Sequence, residues 1–211
     1  MHIEIGILSP EKIAYASAGA TALIAAYSAD WLKSPTTWLR TGLAAFFFSV
    51  LMQVWHLPIG PSELHMVGAM PIYLLLGFVP TLLGFGLGLL LQGLIFEPQD
   101  LAHLSINFLS LAVPLVVLHH SMGKKVQSLQ NLQDLSVSNI LKLDAVYYSG
   151  VTLMVGFWLS MSNVSTPVAD WAMFAASYLS MVLIEPVITV GLIGLLGVVG
   201  LVGQRQSPFK A

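Results

Sequence analysis

The sequence predicts an all-α, polytopic transmembrane helix bundle of about seven spans, and its composition and apolar patterning support this. Of the 211 residues, 56% are hydrophobic and only 9% are charged, whereas a typical soluble domain is about 25% charged. The apolar residues form stretches near the length of about 20 residues that a helix needs to cross a bilayer. We therefore expect a single integral membrane domain, residues 1–211, with no soluble catalytic or nucleotide-binding part.

Seven apolar stretches define the expected helices. The predicted spans are 13–31, 38–55, 66–79, 81–96, 104–122, 144–162 and 170–203. The third is short for a full crossing, and the run Gly77-Phe78-Val79-Pro80 predicts a tight turn before the fourth. The last is long, and the pair Glu185-Pro186 predicts either one kinked helix or two segments.

The basic residues predict the orientation of these spans, because Lys and Arg near span ends favour the cytoplasmic side. With seven spans and the N-terminus outside, only Lys12 of the eight basic residues faces outward. The others are Lys33, Arg40, Lys124, Lys125, Lys142, Arg205 and Lys210. We expect a multi-pass protein of the cell inner membrane with a cytoplasmic C-terminus.

The same orientation sorts the histidines into two groups. The outer group and its acidic neighbours comprise His2, His56, His65, His103, Glu4, Glu63, Glu97 and Asp100. This group indicates either a vestibule that concentrates cations or an ordinary polar surface. His119 and His120 fall near the inner face, and we interpret them as ordinary interfacial residues.

The first two residues can form a compact metal chelate. The Met1 α-amine, the His2 amide nitrogen and the His2 imidazole close two fused rings around one ion once the amide is deprotonated. Such a nitrogen set suits Ni(II), Cu(II) and Co(II); the alternative is that His2 is a solvated terminal residue. No basic signal-peptide leader precedes them, so we expect both to be retained. His65, which opens the third span, is placed to turn inward toward them.

Other functional classes fit the sequence less well. The absence of Cys excludes thiolate sites, and a net charge of −2 without a basic run argues against nucleic acid as a partner. A haem-binding membrane anchor needs a pair of facing ligands within the bilayer, whereas these histidines gather near the two surfaces. An intramembrane hydrolase remains an alternative without an HExxH or GxSxG motif to support it.

Small residues and one buried acid mark further features of the spans. Ala14, Ala18, Ala22 and Ala26 form a stripe that another helix can approach closely, either in a partner chain or within this subunit. Two glycine series, assigned to packing within the bundle, are Gly84, Gly86, Gly88 and Gly191, Gly194, Gly197, Gly200, Gly203. Glu185, deep in the last span, either serves an ion path or binds backbone donors exposed by Pro186.

Several short motifs occur in a recognisable order. They are His2-Ile3 with Gly6, Leu8-Ser9-Pro10, the loop Pro58 to His65, Gln92-Gly93-Leu94, Asn107 and Ala112-Val113-Pro114. Together they resemble the CbiM/NikM family, the substrate-binding membrane subunits of cobalt and nickel energy-coupling-factor transporters. The resemblance covers residues 1 to about 120 well, and the remainder only by span count and hydropathy.

The resemblance implies a particular metal site. The N-terminal segment, residues 1–12, would fold back into the bundle, and four nitrogens from Met1, His2 and His65 would hold the metal in a near-planar set. Asn107 matches a family asparagine near the pocket, where a hydrogen bond can orient an imidazole. Two departures stay open: Glu4 either takes a carboxylate role or does not, and His103 is either a fifth ligand or a loop residue.

The resemblance also implies a transporter subunit and no enzyme. Co(II) or Ni(II) would be the transported substrate and no cofactor would be needed; both metals accept the same nitrogen set. The expected partners are a membrane coupling protein and ATP-binding-cassette ATPases on separate chains, with a small auxiliary membrane subunit as a further candidate. The alanine stripe of the first span resembles the contact by which such subunits dock on the coupling protein.

Overall fold

The computed structural model describes residues 6–32, 34–59, 62–129, 131–164 and 167–198, and it confirms an all-α membrane bundle. The main helices are α1 (Pro10–Leu32), α2 (Pro35–Val54), α3 (Ala69–Leu76), α4 (Phe78–Ile95), α5 (Leu104–Leu118), α6 (Lys124–Gln127), α7 (Val137–Ser160) and α8 (Val168–Val198). Shorter helical turns lie at Pro98–His103, His119–Gly123 and Leu132–Asp134.

Five helical stretches in the described ranges are long and apolar enough to cross a membrane. They are α2, α4, the continuous stretch Pro98–Gln127, α7 and α8. Helix α1 has 23 residues, but its alanine-rich sequence is less apolar and it is not one of the five. The count of seven spans and the outward N-terminus therefore stay predictions.

The third predicted span, 66–79, is shorter than expected. Helix α3 has eight residues and a length of about 12 Å, well below the hydrocarbon thickness of about 30 Å. Gly68 before it and Gly77 after it have φ of +64° and +97°, a backbone region that glycine enters without steric cost. Pro80, predicted as part of the break, instead lies in the first turn of α4, where its missing N–H does no harm.

Helices α5, α7 and α8 differ from the predicted bounds in ways that matter for function. Helix α8 runs through Pro186 without interruption, so the two-segment alternative for the last span is wrong. Helix α7 begins at Val137, seven residues before the predicted start at 144, after Ser136 has accepted a hydrogen bond from the Asn139 amide (3.3 Å). Helix α5 continues through a π-helical turn into α6.

A β-hairpin follows α2, where the sequence predicts a loop. Strands β1 (His56–Ile59) and β2 (Ser62–His65) pair antiparallel, with His56 opposite His65 and Ile59 opposite Ser62. The Met66 amide then donates to the Trp55 carbonyl at 3.2 Å and extends the pairing by one step. The hairpin fixes where His65 leaves the strand and enters the connection to α3.

The glycines of α4 pack against neighbouring helices, as predicted. A Cβ atom added at Gly84 would lie 2.5 Å from Ala44 Cβ of α2, and one added at Gly86 would lie 3.3 Å from the Phe108 ring of α5. The same assignment finds no support at Gly191 and Gly194 of α8, because no atom of the described residues lies within 4 Å of a Cβ added at either position.

Helices α1 and α5 run side by side in the same direction. The Ser17 and Ser105 hydroxyls are 2.9 Å apart, and ten residues further along α1 the Tyr27 hydroxyl lies 3.0 Å from His120 Nε2. We call the end where α1 and α5 begin the N-terminal end of the bundle, and the end with His119 and His120 the opposite end. Helix α7 finishes at the N-terminal end, where the Asn163 amide donates to the Ile7 carbonyl at 2.9 Å.

Candidate metal site

His65 is the predicted metal ligand that lies within the described residues. Its side chain is 4% exposed, and its Nδ1 lies 3.3 Å from the Met52 carbonyl oxygen. Because a carbonyl only accepts hydrogen bonds, this contact assigns the proton to Nδ1 and the lone pair to Nε2. In many metal-binding histidines, one ring nitrogen donates to a backbone carbonyl in this way. The bond orients the ring, and the other nitrogen binds the metal.

The other predicted ligands, Met1 and His2, and the neighbouring Glu4 lie outside the described residues. The chain is described from Gly6, which has a φ of +90° and forms a turn. Ile7 and Leu8 are then buried, at 7% and 3% exposure, and enter the core of the bundle. The first described residues, Gly6 to Leu8, therefore form a segment that inserts into the bundle at its N-terminal end.

Lys12 and Asn163 hold this inserted segment in place. Lys12 Nζ donates to the Met161 carbonyl at 2.5 Å and to Asn163 Oδ1 at 2.8 Å, while the Asn163 amide binds Ile7. We call Lys12, Asn163 and these contacts the N-terminal clamp. Sequence reasoning missed it; the available signal was that Lys12 is the single basic residue assigned to the outer side.

His103 and Asn107 are both buried where α5 begins, each at 1% exposure. His103 ends the helical turn Pro98–His103, and Asn107 lies in the first turn of α5. Both belong to the N-terminal end of the bundle, as Ile7 does. Across the described ranges, no group of three or more His, Asp or Glu side chains is arranged to hold a metal ion.

Glu185 is fully buried and binds the backbone of another helix. Its Oε1 accepts the Met70 amide at 2.7 Å, and its Oε2 accepts the Tyr148 hydroxyl. The amides of Gly68 and Ala69 also face this carboxyl group. The backbone donors thus come from the start of α3, and the interpretation that Pro186 exposes them is wrong.

The alanine stripe lies on the outer surface of the bundle. Ala14, Ala18, Ala22 and Ala26 are all exposed, whereas Ala16 and Ala20 on another face of α1 are buried. The described part of this subunit therefore leaves the stripe uncovered.

His119 and His120 at the opposite end form hydrogen bonds with tyrosine hydroxyls. His119 Nδ1 lies 2.8 Å from the Tyr73 hydroxyl, and its ring stacks on Phe78 with centroids 3.9 Å apart. His120 Nε2 lies 3.0 Å from the Tyr27 hydroxyl. The structure thus separates these two histidines from His65 and His103.

Comparison with known proteins gives two consistent findings. The family model CbiM, described as the cobalt uptake substrate-specific transmembrane region, matches residues 2–200. A solved structure described as a transition metal transporter has a TM-score of 0.71 at 20% identity, covering 94% of this chain and 93% of that one. A truncated transition metal transporter has a TM-score of 0.72 at 18% identity, with coverages of 95% and 99%. No protein of curated function matches the sequence.

Proposed function

This chain belongs to the CbiM family, and we propose that it is the substrate-binding subunit of an energy-coupling-factor transporter for Co(II) or Ni(II). The membership makes it a membrane component of metal uptake and a transporter subunit, with no catalytic activity of its own. Both metals accept nitrogen ligands in planar or near-planar sets, so the proposal covers both. The inner membrane is the proposed location, with the N-terminus outside.

The proposed ligands are the Met1 amine, the His2 amide and imidazole, and the His65 imidazole. The observation that carries this assignment is the setting of His65, which is buried with Nδ1 held by the Met52 carbonyl. The burial of Ile7 and Leu8 and the N-terminal clamp support the insertion of the segment that carries Met1 and His2. We propose Asn107 as a residue that orients the site, and Glu4 and His103 as its neighbours.

Transport would follow from capture, reorientation and release. The ligand set binds metal on the outer side, and a coupling protein driven by ATPases on separate chains then reorients the subunit. Nitrogen ligands bind metal only when deprotonated, so protonation or distortion of the planar set would release the ion inside. A dissociation rate of the metal that is independent of pH would contradict release by protonation.

The N-terminal amine provides the sharpest test of the binding site. We would titrate purified protein with Ni(II) and Co(II) against a competing chelator, and compare the natural chain with a form extended by three residues before Met1. The extension removes one nitrogen ligand without changing a side chain. We expect one ion per chain and loss of binding in the extended form.

The matched control carries the same three residues after Ala211. It should bind as the natural chain does, because the C-terminus contributes no ligand. Equal binding by both extended forms would reject the amine as a ligand, and absence of binding in the natural chain would reject the proposed function.

We propose that the exposed alanine stripe of α1 contacts the membrane coupling protein. The Ala18→Leu substitution would place a bulky side chain on this surface, because closely packed membrane helices need small residues there. Metal uptake by cells that carry the complete transporter should fall at least tenfold, while metal binding by the purified subunit stays unchanged. Val187→Leu, at an exposed position of α8, is the control. Full uptake by the Ala18 variant would reject this contact.

A further inference from the structure

A second polar group lies between α7 and α8. It contains two fully buried carboxyl groups, Asp144 of α7 and Glu185 of α8, and each has 0% exposure. Tyr147 and Tyr148 follow Asp144 by three and four residues, so all three side chains leave α7 on one face. Both helices are long and apolar enough to cross a membrane.

The two carboxyl groups differ in their partners. Glu185 accepts hydrogen bonds from the Met70 amide and the Tyr148 hydroxyl, which suits an ionised carboxylate. Among the described residues, neither oxygen of Asp144 has a hydrogen-bond partner, and Glu185 is the charged group that acts on this carboxyl group. An unpaired carboxylate is strongly disfavoured in a membrane interior, and a second negative charge nearby disfavours it further.

The hydroxyl of Tyr147 is a second observation, besides the two carboxyl groups, that indicates a bound species here. It is fully buried, has no hydrogen-bond partner within the described part of the chain, and faces Asp144, Glu185 and Tyr178. Nearly all buried polar groups in proteins have a hydrogen-bond partner, so this hydroxyl and the carboxyl group beside it indicate a place where a proton or hydrogen-bonding species resides. The described neighbours include no Lys or Arg that pairs with either acid.

We propose that Asp144 and Glu185 form a proton-binding site, and that its proton occupancy is coupled to metal binding at His65. In the state with one proton, Asp144 is neutral and Glu185 is ionised. The site takes its proton from water and returns it to water, so no other reactant takes part. The coupling part of this inference rests on the proposed function; the proton site does not.

The coupling follows from what Glu185 binds. Its carboxylate accepts the first amides of α3, a position where a negative charge stabilises a helix. Gly68, three residues after His65, has φ of +64°, and a Cβ there would lie 2.2 Å from Leu51 Cδ1, so this connection has little freedom. A second proton, on Glu185, weakens its hold on α3 and shifts the connection that carries His65. Glu185 is therefore a positioning residue, and acidification lowers metal affinity through it.

Infrared spectroscopy tests the proton site without metal. At about pH 8, carboxyl groups with an ordinary pKa of about 4 are ionised, so a band from a protonated carboxylic acid reports a buried one. We expect this band in the natural protein in lipid and its loss in Asp144→Asn. The control is Asp134→Asn, which changes an exposed acid and should retain the band. A missing band in the natural protein, or an unchanged band in Asp144→Asn, would overturn the proton site.

Metal titration then tests the coupling. Ni(II) affinity is measured from about pH 6 to about pH 8 for the natural protein, Glu185→Gln and Asp134→Asn. Metal binding also displaces protons from the ligands themselves, but this contribution to the pH dependence is the same in all three proteins. We expect Glu185→Gln to bind about tenfold more weakly at the higher pH, with a shallower pH dependence, so that the curves converge on acidification. Parallel curves would show only a structural effect and would overturn the coupling.

The two tests separate the two proposals. If the natural protein binds no Ni(II) and Asp144→Asn still removes the infrared band, the proposed function and the coupling fail while the proton site stands. If Ni(II) binds and the band is absent, the transporter assignment stands and this inference fails.

Discussion

The two ends of the bundle both carry histidines, but the groups that bind these rings differ. At the N-terminal end, the buried His65 faces a backbone carbonyl, which fixes the proton on Nδ1 and directs the lone pair of Nε2 elsewhere. At the opposite end, the Tyr73 and Tyr27 hydroxyls contact His119 and His120, and a hydroxyl can donate or accept. The backbone carbonyl thus distinguishes His65, the proposed metal ligand, from the two histidines of the opposite end.

The largest expected effect comes from removing His65. His65→Ala should weaken Ni(II) binding at least about 100-fold, because loss of a ligand exceeds the 10- to 100-fold typical of outer-shell partners. His120→Ala, the matched change at the opposite end, should alter the affinity by less than about threefold. Equilibrium titration of both variants against a chelator gives the comparison. Equal losses in both would end the distinction between the two ends.

Asn107 should give the next largest effect. Asn107→Ala should lower Ni(II) affinity by about 10- to 100-fold if the amide orients an imidazole of the site. His103→Gln, at the buried residue that precedes α5, should change affinity by less than about threefold, because we do not propose His103 as a ligand. A larger loss for His103→Gln than for Asn107→Ala would instead make His103 a ligand. Thermal unfolding of both variants shows whether either loss reflects instability.

The N-terminal clamp should have an intermediate effect. Lys12→Met removes the bonds of the Nζ to Met161 and Asn163 while keeping the length of the side chain. The inserted segment then has more freedom, and we expect about tenfold weaker Ni(II) binding, as for other supporting hydrogen bonds at metal sites. Lys125→Met, at an exposed lysine of α6, is the control. Unchanged affinity in Lys12→Met would mean that the burial of Ile7 and Leu8 suffices.

The smallest effect on metal binding should come from the tyrosines of the opposite end. Tyr73→Phe removes the hydroxyl that contacts His119 and should reduce the free energy of unfolding by about 1 kcal/mol, the usual net value of one hydrogen bond. Its Ni(II) affinity should stay within twofold of the natural value. A reduced affinity without lost stability would show that the opposite end also serves binding.

Sequence reasoning found the helices that depend on local patterns. The apolar stretches placed α2 and α4 within three residues of their observed starts, and the predicted break after the third span coincides with Gly77, between α3 and α4. The predicted span 144–162 begins at Asp144, and a charged residue is ordinary at the end of a membrane span. Because α7 begins at Val137, Asp144 is instead two turns inside the helix and fully buried.

What the sequence did not predict depends on contacts between distant parts of the chain. Glu185 binds Met70 across 115 residues, and Lys12 binds Asn163 across 151. Hydrophobic periodicity reports which face of a helix is buried, and it carries no information on which distant element covers that face. The α1 alanines and α8 glycines illustrate this, since both patterns predict a close contact while the described subunit leaves Ala18 and Gly191 uncovered.

Helix α3 has a mechanical consequence that follows from its length. Glu185 binds its first amides, while at its last turn the Tyr73 hydroxyl contacts His119 and the Tyr73 carbonyl accepts the Gln127 side chain at 3.0 Å. A two-turn rod of about 12 Å is too short to bend appreciably. It therefore joins the Glu185 contact near the His65 connection to the His119 and Gln127 contacts at the opposite end through one rigid element.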